Sequence, residues 1–292
     1  MNMKKKIFCA LILVLFIAGI SHTLEKRILR LGLLSKLNSS EEEFSETWKK
    51  TFAPNNEALE VRIRFYDSLT ALQMGLNASE ISQIVLPDFA ADYIMTQNNA
   101  YESTLVLRSH GMGLAFGFRE DSQELRRKFN EALSHLRSNW TLSALEGMYI
   151  ASRGNDFPEP VKFAHFDNAP VIRAAVTGDL PPIDLIAPDG QPAGFNTAVL
   201  AEIGNYLHVN IELVDIDAGA RTAALASGRA DVVFWYEVDT SGSVQPDVPD
   251  GVILSEPYYE WSKYIHVRKA ENKKNASRGW SITQSILDLY WR

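Results

Sequence analysis

Hydrophobic residues fall along this chain in short runs separated by amphipathic stretches, and the two kinds alternate twice. Ile28–Leu34 (ILRLGLL) is an apolar run of strand length. Val61–Phe65 (VRIRF) alternates with the period of a half-buried strand. Between them NSSEEEFSETW reads as a helix start: Ser40 and Glu43 form a capping box, Glu41–Glu43 suit the helix dipole, and Phe44 and Trp48 share a face. A helix over about Ser68–Leu76, a strand at Ile84–Leu86 and a helix over about Phe89–Thr96 continue the alternation. Leu105–Leu107 and Leu114–Phe118 read as two further strands, the second inside the glycine-rich GMGLAFG, which reads as a hinge strand. Asp121–Leu136 carries Leu125, Phe129, Leu133 and Leu136 at helical spacing, and a short helix runs from about Thr141 to Tyr149.

Residues 151–170 contain three prolines and no periodicity, which predicts a linker. The pattern then begins afresh: strand Val171–Val176, helix Phe195–Leu207, strand Ile211–Val214, helix Ala220–Ala226 and strand Val232–Trp235. The tail from Trp261 predicts one strand, a polar stretch and a short helix at about Ile282–Leu289. Repeated β-α alternation predicts an α/β fold with mainly parallel sheets. The segments LNASEISQIV (76–85) and LASGRADVVF (225–234) resemble one another: each ends a helix, turns at a small residue and enters a strand. Leu76, Ser79, Ser82 and Ile84 match Leu225, Gly228, Asp231 and Val233, so two halves of similar build are expected.

Composition changes the picture at the N-terminus. Lys4, Lys5 and Lys6 precede an apolar run from Ile7 to Ile20, 14 residues, short of the roughly 20 that span a bilayer. With Gly19 and Ser21 as small residues, 1–21 reads as a secretory signal peptide, its rival an uncleaved anchor. Cys9, the only cysteine, lies inside the run, so the mature chain is expected to hold no disulfide, thiolate metal site or cysteine nucleophile. A net charge of −7, more acidic once the signal lysines are gone, argues against nucleic acid as partner. There is no GxSxG, HExxH or phosphate-cradling glycine loop, and the histidines show no metal-like pairing. No cofactor is expected.

Five segments in order carry a family resemblance: Gly178-Asp179-Leu180-Pro181-Pro182-Ile183, Gly194-Phe195-Asn196, Ala224-Leu225-Ala226-Ser227-Gly228, Asp231-Val232-Val233 and Leu254-Ser255-Glu256-Pro257-Tyr258-Tyr259. In these residues the chain resembles the bacterial extracellular solute-binding proteins of the polar amino acid type. The resemblance implies a two-lobed, periplasmic-binding-protein-like fold of type II, each lobe a mainly parallel sheet flanked by helices. In the family those segments belong to the first lobe. Here residues 171–261 resemble that lobe, while 28–117, with 262–292, resemble the second and 118–150 the closing helices. The order therefore reads as permuted; the rival explanation is a fragment of a tandem array.

The family's ligands sit between the lobes, which places candidate binding residues at Asp179, Leu180 and Ile183 of the first loop. Asn38, Ser39 and Ser40 stand at the start of the second-lobe helix. Asp88 stands beside Pro87, where the family's amine-pairing Asp falls. The carboxylate-clamping Arg, counted from Thr240, is replaced by Ser243. Trp235, Tyr236 and Glu237 end a strand toward the expected cleft, where rings and a carboxylate suit a ring-bearing or cationic solute. The alternative reading packs Trp235 in the core and leaves Glu237 in solvent. The implied protein is a monomeric periplasmic or extracellular binder that delivers a small solute to an ABC-type membrane permease, without catalysis. An envelope interaction module without a ligand, and a dehydratase using Glu237 with Asp88, are the other readings.

Overall fold

The computed structural model describes residues 27–35, 59–152, 161–187, 189–241 and 248–270, with single helical positions at 42, 45, 46 and 49. The predicted signal peptide, the tail helix, Asn38, Ser39, Ser40 and Ser243 lie outside the described residues. None of the described helices is long and apolar enough to cross a membrane.

The chain opens with strand β1 (Arg27–Leu34), parallel to β2 (Leu59–Tyr66) on one side and to β3 (Gln83–Pro87) on the other. Helix α1 (Leu69–Asn77) crosses between β2 and β3. The side chain of its N-cap, Ser68, accepts the amide of Ala71 at 3.1 Å, and Leu69, Leu72 and Leu76 are buried. Helix α2 (Asp88–Gln97) follows directly, burying Phe89, Ala90, Ala91 and Ile94. The sequence pattern anticipates each of these elements to within a few residues, because each has an uninterrupted apolar face.

The next strand departs from expectation. The two predicted strands are one, β4 (Tyr101–Arg119), 19 residues long. Its glycines serve close approach, not a turn. A Cβ on Gly113 would lie 2.8 Å from Thr240 Cγ2, 2.9 Å from Pro257 Cβ and 3.1 Å from the Tyr259 carbonyl, a spacing only glycine permits. Helix α3 (Gln123–Ser138) buries Phe129, Ala132, Leu133 and Leu136, and α4 (Thr141–Leu145) continues into a π-turn over Glu146–Ile150. Residues 161–170 form neither helix nor strand.

The second half repeats the first. Strand β5 (Val171–Val176) lies parallel to β9 (Asn210–Asp215) and to β10 (Val232–Asp239). Between β5 and β9 a small antiparallel sheet, β6 (Asp179–Leu180), β7 (Asp184–Ile186) and β8 (Pro192–Ala193), precedes helix α5 (Phe195–Leu207). Helix α6 (Arg221–Ala226) leads into β10, and β11 (Val252–Leu254) pairs with the end of β4. The last described strand is β12 (Tyr259–Lys269).

Sheet order ties the halves together: β2-β1-β3-β12-β4-β10-β5-β9. Each half has an outer strand, its first strand and a third strand in parallel. Each is closed by an antiparallel strand arriving from the other half. β12 lies antiparallel to β3, β4 lies antiparallel to β10, and β12 and β4 pair with one another between the two. One apolar core runs through both halves, from Leu31, Leu72 and Ile84 to Phe116, Phe129, Phe195 and Phe234.

Candidate functional site

Three strand ends converge where β4 and β12 cross. The end of β3 delivers Pro87 and Asp88 to the first turn of α2. The end of β10 delivers Glu237 and Thr240, and the start of β12 delivers Tyr259, Trp261, Lys263 and Tyr264. In β10 the register with β4 slips between Val233 and Tyr236. Such a bulge re-aims the side chains that follow it. The backbones of Trp235 and Tyr236 belong to β10; their side chains lie outside the described residues.

Tyr259 stands between the two halves. Its ring lies edge-on to Phe89 at 5.5 Å and to Phe195 at 5.6 Å, the first residue of α5, and Phe89 meets Trp261 edge-on at 5.7 Å. Edge-to-face contacts at these separations are favourable aromatic pairings. An aromatic wedge thus occupies the ground between the N-terminal turns of α2 and α5.

Carboxylates surround this wedge. Asp88 Oδ1 accepts the amide of Phe89 at 2.9 Å. Burial raises the Asp88 carboxyl above its ordinary value, opposed by that hydrogen bond and by Lys263, and nearby Asp92 raises it further. Burial also raises the phenol of Tyr264 strongly, helped by the charges of Glu237 and Asp88. Tyr259 is raised by burial first and then by Asp88, Glu146 and Asp92. Glu146 is itself raised by burial and by Glu260, with Arg137 opposing. The local field is negative, with Lys263 and Arg137 as its counter-charges.

The first loop is turned into the fold. Leu180 is 2% exposed and Ile183 is 0% exposed, both within the main core. Asp179 forms an ion pair with Arg221 of α6 at 2.9 Å, and both side chains are buried. Thr240 packs against β4, its Oγ1 2.4 Å from where a Cβ on Gly111 would stand, and its amide donates to the Gly111 carbonyl at 2.9 Å. Of the predicted site residues, Asp88, Glu237 and Thr240 therefore come together at the crossing, and Asp179, Leu180 and Ile183 are occupied elsewhere. Sequence reading missed Tyr259, Trp261 and Tyr264. Their signal was present in the aromatic spacing of YYEWSKY after Pro257. Among the described residues no group of three or more His, Cys, Asp or Glu is placed to hold a metal ion.

Residues 172–284 match the model of the bacterial extracellular solute-binding proteins, family 3. The match lies within the second half of the chain, and the two halves share one mainly parallel α/β build with reciprocal strand order. No curated protein sequence matches the chain. Among solved structures it is similar to the regulatory domain of Synechocystis PCC6803 CcmR in complex with 2-PG. Identity there is 10%, over 90% of this chain and 94% of that one, with a TM-score of 0.42. It is also similar to the GluR0 ligand-binding core from Nostoc punctiforme in complex with L-glutamate: 12% identity, 90% and 92% coverage, TM-score 0.40. A third is the periplasmic aliphatic sulphonate binding protein SsuA from Escherichia coli, at 10% identity, 90% and 71% coverage and TM-score 0.41.

Proposed function

We propose that the protein is a secreted solute-binding protein that takes a small cationic or ring-bearing solute at the crossing of β4 and β12 and hands it to a membrane permease of the ABC type. One observation carries the solute class: β12 pairs through Tyr264 with Pro87, the neighbour of Asp88, and through Tyr259 with Leu114, which on its other side pairs with Glu237, so a carboxylate from each half stands beside the crossing. Two carboxylates from opposite halves suit a positive group, and the rings of Tyr259 and Trp261 suit an aromatic or quaternary body. The site has no arginine in the family's clamping place, since that position holds Ser243. An unpaired ligand carboxylate in a closed site costs on the order of several kcal/mol. Ordinary α-amino acids are therefore poor candidates.

The lobe order we infer is permuted: a second-lobe-like half (28–117 with 262–292), closing helices (118–150), a linker (151–170) and a first-lobe-like half (171–261). Residues 1–21 act as the export signal. The pairing of β12 with β3 supports this order, because it joins the last described strand to the half that β1 opens. A second reading, an envelope interaction module without a ligand, is favoured by the aromatic wedge itself, which leaves Phe89 4% and Trp261 5% exposed.

A melting-temperature screen of the mature protein separates the two. The binding reading expects shifts with cationic or ring-bearing solutes, weakened by Glu237→Gln and by Trp235→Ala. Strong stabilisation by glutamate that neither substitution touches contradicts the solute class. No shift with any solute favours the interaction module.

A further inference from the structure

Thr177 holds a position that its chemistry can fill in only one way. Its Oγ1 accepts a hydrogen bond from Arg221 Nη2 at 2.7 Å. The same oxygen lies 2.8 Å from Asp184 Oδ2 and within hydrogen-bond contact of Asp179 Oδ1. A hydroxyl has one hydrogen to donate and two lone pairs. Arg221 takes one lone pair, so one hydrogen and one lone pair remain for two carboxylates. One carboxylate accepts the hydroxyl hydrogen; the other completes the network only by donating a hydrogen of its own.

Asp179 is the acceptor. Arg221 Nη2 reaches both of its oxygens, at 2.9 and 3.1 Å, which keeps it charged. Asp184 is the donor. It is fully buried, and beyond Thr177 its partners are the amides of Thr177 and Gly178, at 3.1 and 3.2 Å. The charges acting on it are Asp179, which disfavours its ionisation, and Arg221, which favours it. The neighbouring elements add little: α1 and β8 contain no titratable side chain, and α5, packed on β7, contains only Glu202 and the phenol of Tyr206. Burial is the largest cause of a carboxyl pushed up to about 6.

This network pins the flap β6–β8 to α6, and β6 also lies against α1 of the other half. We propose that Asp184 carries a proton when the flap is seated, which makes the Thr177–Asp179–Asp184–Arg221 cluster a proton-operated latch between the two halves. Losing that proton to solvent leaves two carboxylates competing for one hydroxyl hydrogen in a buried site, and the flap loosens from α1.

The test is a carboxyl titration of the mature full-length protein by NMR, with amide hydrogen exchange of residues 69–77 and 179–186 followed from pH 5 to 7.5. The latch predicts Asp184 titrating near pH 6. Exchange protection in both segments, corrected for intrinsic rates, falls by up to about tenfold per pH unit as the pH rises toward that midpoint and levels off above it. Asp184→Asn, which donates a hydrogen at every pH, removes the pH dependence. An Asp184 midpoint below 5, pH-independent protection in the wild type, or an unchanged pH dependence in Asp184→Asn overturns the proposal. If Asp184→Asn fails to fold, the wild-type titration and exchange decide it.

Discussion

Ser79 and Gly228 occupy the same place in the two halves, each ending a helix in the left-handed conformation, at φ 61° and 70°. The correspondence extends past the turn. The amide of Ser82 donates to the Arg30 carbonyl at 2.8 Å, as that of Asp231 does to Arg173. In return the side chains of Ser82 and Asp231 accept the amides of Arg30 and Arg173, at 3.2 and 2.9 Å. A basic residue ending each crossing strand completes the match. Lys269 of β12 reaches the Ser79 hydroxyl at 2.9 Å, and Arg119 of β4 stands beside Gly228. Opposite substitutions at the two turns should therefore have opposite effects. Gly228→Ala, with space for the methyl but an unfavourable φ, should cost about 1 kcal/mol. Ser79→Gly should be neutral or stabilising by up to about 1 kcal/mol, because the lost bond to Lys269 is exposed. Urea unfolding of the two variants checks both signs.

Gly113 is hemmed in from three directions at the crossing. An added methyl meets the Thr240 side chain, Pro257 and the fixed carbonyl of Tyr259. Gly113→Ala should destabilise by about 1–3 kcal/mol. Truncating Thr240 as well, in Gly113→Ala/Thr240→Ser, should recover only part of that, since the carbonyl stays where it is. Denaturant midpoints of the three proteins measure the recovery.

Two buried groups set opposing pH dependences. His266 is 1% exposed, hydrogen-bonded through Nδ1 to Gln83 at 3.0 Å, and burial lowers it to about 4. Its depressed value means that the unfolded chain takes up a proton first. The stability it contributes is full above about pH 6.5 and is lost as pH falls toward 4, by about 3 kcal/mol. Asp184 is raised, so its contribution is full below about pH 4 and is lost as pH rises through 6, by a similar amount. Wild-type stability should therefore be nearly flat from pH 4 to 6.5. His266→Gln should expose a fall with rising pH, and Asp184→Asn a rise. Thermal melts across that window distinguish these slopes.

The permuted order has its own test. A chain that joins residue 292 to residue 27 through a short linker and opens within 153–160 should fold to the same structure, because strand pairing on either side is unchanged. Matching amide spectra support the order. A relinked chain that fails to fold, or folds only as a dimer, points to a fragment of a tandem array.

How much of this was legible beforehand followed from how local each signal is. Helix α5 was read at its observed bounds because Gly194 and an apolar face define it within one stretch of sequence. The equivalence of Ser79 with Gly228 was legible because both turns repeat a helix-turn-strand pattern. β4 was read as two strands because glycine near a polar residue signals a turn locally, whereas the reason for Gly113 lies on Thr240 and Tyr259, far along the chain. The first loop misled in the same way. Nothing near Asp179 announces Arg221, 42 residues away, and an Asp in a loop reads as exposed until its partner is known. At the crossing, Asp88 and Glu237 were legible as strand-end carboxylates. The rings of Tyr259, Trp261 and Tyr264 were not, because a strand carrying aromatic residues reads as core.

The most direct test of the account is calorimetric titration of the strongest cationic solute from the melting screen into wild-type protein, Asp88→Asn and Glu237→Gln. If both carboxylates hold the solute's positive charge, each substitution should weaken binding by about tenfold or more, in line with a charge-assisted contact of about 1.5–3 kcal/mol. A neutral analogue of the solute should bind all three proteins alike. Equal affinity of the three proteins for the cationic solute contradicts a site at the crossing of β4 and β12.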